Sequence, residues 1–70
     1  MNLRELMDVL TYEEKLELAR KADTGYYYLF HMAAGARLPS PRLARKLVEA
    51  DNRLTLAELR PDIWGDQVAA

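Results

Sequence analysis

The stretch Leu16-Glu17-Leu18-Ala19-Arg20-Lys21-Ala22-Asp23-Thr24-Gly25-Tyr26-Tyr27-Tyr28-Leu29-Phe30-His31-Met32-Ala33-Ala34-Gly35 decides the fold of this 70-residue chain. It reads as two short helices joined by a sharp turn. Just ahead of it, Thr11 and Glu14 have the spacing of a capping box, which predicts a helix over about 12–22. Glu13 and Glu14 suit the positive end of that helix. Leu16, Ala19 and Ala22 supply its apolar face, with Leu18 beside it. Asp23 tolerates the left-handed backbone that the turn demands. Thr24 is the expected cap of the next helix, about 25–34, and Gly35 the residue that ends it.

Helical signals continue on both sides. Leu3, Leu6, Met7 and Leu10 fall at i, i+3, i+4 and i+7, an apolar stripe for a leading helix over about 2–9. Gly35 to Pro39 reads as a loop. Ser40-Pro41 is a cap followed by proline at the first helical position, and about ten helical residues follow, with Leu43, Leu47 and Ala50 as the buried stripe. Thr55-Leu56-Ala57-Glu58 is a second capping box and opens a short fifth helix, which Pro61 limits. Val and Ile are few, and alternation is not sustained beyond Arg53-Leu54-Thr55-Leu56. The expectation is an all-α, compact bundle of five short helices. It forms one domain over residues 1–64, followed by a flexible tail at 65–70.

Composition narrows the function. The chain has no cysteine, which excludes disulfides, thiolate metal sites and thiol redox chemistry. It shows neither a signal-peptide layout nor an apolar run of membrane-spanning length, so a cytoplasmic protein without a membrane partner is expected. The net charge of −1 is an average over unlike segments. Residues 1–18 sum to −3, residues 19–46 to +5 and residues 47–70 to −3. A basic middle of this kind concentrates anionic partners locally, although charge runs are also common on plain solvated surfaces.

The helix over 25–34 carries more aromatic surface than one buried face holds. With Tyr28, Leu29 and Met32 turned inward, Phe30 lies about 155° from the centre of the stripe and Tyr27 about 145°. Tyr26 lies about 115° and His31 about 105° from it. Unless the last helix or a second copy covers these rings, they need a partner surface: a protein, a ligand groove or DNA. Phe touches thymine methyls, and Tyr and His bond phosphates or base edges, so nucleic acid fits an aromatic face beside basic residues. His31 is the only histidine, too few ligands for zinc. Ser40, the only serine, is a helix cap, and no glycine-rich phosphate loop exists. Neither catalysis nor a metal or other cofactor is expected.

The piece from Leu16 to Pro39 resembles the helix-turn-helix of the lambda-repressor and Cro-like superfamily. The shared spacing is Ala19, Asp23, Thr24-Gly25, then Leu29 and Met32, then Gly35 and a loop to Pro39. The turn position is usually Gly in that family, and here it is Asp23. Further stretches, Arg37-Leu38-Pro39-Ser40-Pro41 and Leu56-Ala57-Glu58-Leu59-Arg60-Pro61-Asp62-Ile63-Trp64, look like the YdaS-type subgroup of phage regulators. The resemblance covers about residues 11–64 and puts the motif at about 12–35. It implies a phage or prophage transcriptional repressor whose recognition helix, about 25–34, enters the major groove of a double-stranded operator. By that resemblance Tyr26, Tyr27, Phe30 and His31 face the bases, and Lys15 and Arg37 the phosphates. Arg20, Lys21 and Arg42 join the candidate phosphate partners, and Thr24 and Gly25 complete the DNA-facing set. A homodimer is expected on the operator, since one small module buries little area. Leu59, Ile63 and Trp64 are its candidate contacts, and the same three residues alternatively close the core. The rival expectation is an antitoxin or interaction module whose aromatic face binds a toxin or other regulator.

Overall fold

Four helix starts are written by side chains that accept a backbone N–H from three residues on, three of them ahead of the longer helices. In the computed structural model, Asn2 caps α1 (Leu3–Val9), Thr11 caps α2 (Tyr12–Lys21) and Ser40 caps α4 (Pro41–Ala50). Asn2–Glu5 and Thr11–Glu14 are full capping boxes, the carboxylate reaching back to the cap N–H at 3.0 and 2.8 Å. The structure describes the backbone of residues 1–69 and the side chains of residues 1–65.

The turn after α2 is set by Asp23, whose φ of 54° is left-handed. The Asp23 N–H donates to the Arg20 carbonyl and the Thr24 N–H to the Ala19 carbonyl, the paired bonds of a Schellman turn. Helix α3 (Tyr26–Ala33) closes in the same way at Gly35, φ 83°, with Gly35 N–H to Met32 and Ala36 N–H to His31. Thr24 does not cap α3. The cap position falls on Gly25, which has no side chain to bond, while Thr24 belongs to the turn that closes α2.

The fifth helix of the sequence reading becomes two, so the described residues hold six helices and no strand. Thr55 accepts the Glu58 N–H and opens α5 (Leu56–Leu59). Pro61 ends that turn and also starts α6 (Pro61–Ala69), since a proline lacks only an N–H that the first helical position does not use. Gly65 to Ala69, expected as tail, continue α6; Ala70 lies outside the described residues. Arg60, at the α5–α6 junction, ties the elements together. Its Nη1 donates to the Pro39 carbonyl at 2.8 Å, while Nε and Nη2 grip Asp62.

One core joins all six helices. Leu3, Leu6, Met7 and Leu10 are buried as the stripe predicts. They meet Leu18, Ala19 and Ala22 of α2, Leu29 and Met32 of α3, Ala44 and Leu47 of α4, and Leu54, Leu59 and Trp64. Leu16 is a correction: it is exposed, and Leu18 takes the inward place. On α4 the fully buried pair is Ala44 and Leu47, with Leu43 and Ala50 only partly covered. Leu6, Leu29, Leu47 and Leu54 are essentially inaccessible, each contributing roughly 1.5–3 kcal/mol of transfer free energy. Helix α3 packs on α1 and α2, and α4 packs on α2 and α5. One side of α3 is left open. No helix among the described residues is long and apolar enough to cross a membrane.

Candidate nucleic-acid interface

The inward direction of α3 runs through Leu29, with Met32 buried and Tyr26 and Ala33 packed against the core. That rotates the helix relative to the sequence expectation. Tyr28, expected inward, lies at the boundary, and Tyr26 takes its place. On this wheel Tyr27 and His31 each stand about 160° from Leu29, and Phe30 about 100°. All three are exposed, Tyr27 at 76%.

Tyr26 is the hub of an aromatic cluster. Its ring centroid is 5.5 Å from Tyr12, 5.3 Å from Tyr27 and 5.1 Å from Phe30, each pair edge-to-face. Such pairs contribute about 0.5–1.5 kcal/mol beyond area burial. They hold the rings in place before any partner arrives. Burial pushes the Tyr26 phenol above the ordinary tyrosine range, and the Tyr12 and Tyr27 phenols add to the effect. Tyr12, the first residue of α2, was not singled out in the sequence. Its signal lay in the spacing: it stands one turn ahead of Lys15, on the same side of α2. Lys15 completes the face, with Nζ 5.4 Å from the Phe30 ring centroid. Lys15, Tyr26, Tyr27 and Phe30 are therefore brought together across α2 and α3, and His31 shares the outer side of α3.

The remaining candidates scatter. Arg20 is engaged by Glu17, which raises its guanidinium pKa further and lowers that of the carboxylate. Lys21, one residue on, adds its charge to the lowering of the Glu17 and Asp51 carboxyls. By helical rotation Arg20 lies about 140° from Lys15 and Lys21 about 120°, so neither shares its side of α2. Arg42 and Thr24 line a cleft between the Asp23 turn and the start of α4. Gly25 is exposed at the head of α3. Arg37 is exposed in the loop after α3 and lines a groove with Leu3, Arg4 and Leu59.

The candidate dimer contacts divide. Leu59 and Trp64 are buried, 5% and 7% exposed, and belong to the monomer core. Trp64 also carries the Arg45 guanidinium 5.7 Å above its ring. Only Ile63, 44% exposed, is available for a second chain. The correction has a plain cause: α6 turns its indole toward α4, where the sequence left its direction open.

The fold and this surface define an all-helical domain with a pre-packed aromatic helix face beside a lysine. The chain matches no family model, no curated protein and no solved structure.

Proposed function

We propose that this domain binds double-stranded DNA through α3, with the exposed side of that helix in the major groove, and represses transcription by occluding a promoter. The observation that carries the reading is the exposed face of Tyr27 and His31, with the partly exposed Phe30 ring beside them, flanked by Lys15. Two helices joined by a hydrogen-bonded left-handed turn present that face as a unit, the arrangement a recognition helix needs. Phe30 supplies an apolar contact for thymine methyls, and Tyr27 and His31 supply hydrogen-bonding tips. Few polar forks are present, so groove shape and methyl contacts weigh more than bidentate bonds. A phage-type regulator working as a dimer in the cytoplasm fits this reading.

Binding to duplexes selected from random sequence tests it. Three or more contacted phosphates give a log–log salt slope of about −2.7 or steeper, at ~0.9 per phosphate. A slope near zero overturns the reading. One observation favours a second reading. The face holds more aromatic than cationic surface, which suits a protein interface, as in an antitoxin that caps a partner toxin. In that case a neighbouring gene product binds the domain while no duplex does.

A further inference from the structure

Two clefts run beside α3, and they meet at one residue of the first helix. The larger, about 450 Å³, lies between α1 and the Lys15–Phe30 pair. The second, about 310 Å³, runs under the loop that carries Arg37. Arg4 and Ala33 line both. Arg4 therefore stands between Lys15 and Arg37, and the three cations form a row along one edge of α3. The other arginines and lysines divide differently. Arg20, Lys46, Arg53 and Arg60 each pair with a carboxylate, whereas Arg4, Lys15 and Arg37, like Lys21, Arg42 and Arg45, pair with none among the described residues.

The helix dipole gives Arg4 no reason to be basic. It is the second residue of α1, at the positive end of the helix, where a cation is unfavourable. It is exposed and makes no hydrogen bond among the described residues. Of the carboxylates in the two clefts it lines, Asp8 does not pair with it and Glu58 pairs with the Met1 ammonium instead.

We propose that Arg4 is a phosphate-contacting residue, the middle member of a Lys15–Arg4–Arg37 row that follows one DNA strand while α3 occupies the adjoining groove. The proposal rests on the DNA-binding reading above and extends it to a helix outside α2 and α3. The occupant is a phosphodiester backbone because the row is cationic, continues through two adjoining clefts and is edged by the exposed Phe30 ring. Asp8 opposes that occupant, so its removal strengthens binding.

The test is a salt series of duplex binding by fluorescence anisotropy, with wild type, Arg4→Ala, Arg4→Lys, Asp8→Asn and, as control, Arg20→Ala. Arg4→Ala is expected to flatten the log–log slope by about 0.9 and to weaken all sequences alike. Arg4→Lys keeps the slope, and Asp8→Asn raises affinity. Arg20→Ala leaves the slope unchanged, since Glu17 already holds that guanidinium. Melting of Arg4→Ala is expected at or above the wild-type temperature, because an unfavourable charge leaves the helix start. An unchanged slope in Arg4→Ala, with a steep slope in wild type, overturns the Arg4 contact and leaves the DNA reading standing. A flat slope in wild type overturns both.

Discussion

Lys15 places its ammonium 5.4 Å from the centre of the Phe30 ring, joining the start of α2 to the middle of α3. The pair puts a phosphate-seeking cation and a base-seeking ring on one edge. The two side chains should therefore fail differently. Phe30→Ala is expected to lose discrimination between selected and scrambled duplexes while keeping most of its salt dependence. Lys15→Ala is expected to weaken every duplex and to flatten the slope by about 0.9. Competition assays with the two variants check this. Equal losses of specificity in both, or in neither, contradict the assigned face.

Asp23 is a non-glycine residue at φ 54°, a conformation that costs an L-residue roughly 1–2 kcal/mol, less for Asp. Its carboxylate lies 3.7 Å from Lys46 but is almost fully exposed, so that pair adds little. Asp23→Gly is thus expected to stabilise the domain. Glycine's extra freedom in the unfolded chain takes back part of the gain, leaving about 0.5 kcal/mol. For a chain of this length that is a rise of about 2–4 °C in melting temperature. A lower melting temperature in Asp23→Gly contradicts the argument.

The turn at Asp23, the stop at Gly35 and the starts at Thr11 and Ser40 were legible because each depends on one residue's own chemistry. The rotation of α3 was not. Three consecutive tyrosines cannot be ranked by hydrophobicity, and the choice of Tyr26 over Tyr28 depends on Tyr12, a residue of another helix. Pro61 was legible as a stop but not as a start, since the two roles look alike from sequence. The direction of Trp64 followed from the same break: a new helix at Pro61 fixed which side of the chain faces α4. Of the candidate site, the set centred on Lys15 and α3 was readable. The basic residues were not sortable, because pairing partners such as Glu17 for Arg20 become visible only in the folded chain.

Arg53 forks onto Asp51, with Nε 3.0 Å from Oδ1 and Nη2 2.6 Å from Oδ2, and its own N–H adds a third bond at 3.0 Å. The guanidinium holds the Asp51 carboxyl below the ordinary aspartate range, against the opposing effect of burial. A carboxyl lowered by folding contributes stability that is complete above its unfolded pKa of about 3.9. That contribution disappears as pH falls through the lowered folded value. Melting temperature is therefore expected to drop steeply below about pH 4, and less steeply in Asp51→Asn. Glu14, Glu58 and Asp62 are also lowered, so the slope is reduced rather than abolished. Identical acid profiles for wild type and Asp51→Asn contradict the assignment.

Ile63 and Trp64 are sequence neighbours with opposite fates, one half-exposed and the other in the core. Removing the indole leaves a cavity between α6 and α4 and strands the Arg45 guanidinium that lies over it. Trp64→Ala is expected to cost about 3–5 kcal/mol. A domain of this length holds only about 3.5–10 kcal/mol in total, so the variant is largely unfolded at moderate temperature. Ile63→Ser touches no core contact and is expected to stay within about 0.5 kcal/mol of wild type. The two variants then separate folding from association. Circular dichroism melts report the first, and sedimentation with and without duplex reports the second. If the domain pairs through the exposed side of α6, Ile63→Ser loses the dimer on DNA at an unchanged melting temperature. A dimer that survives Ile63→Ser places the contact elsewhere, because Leu59 and Trp64 cannot serve it from inside the core.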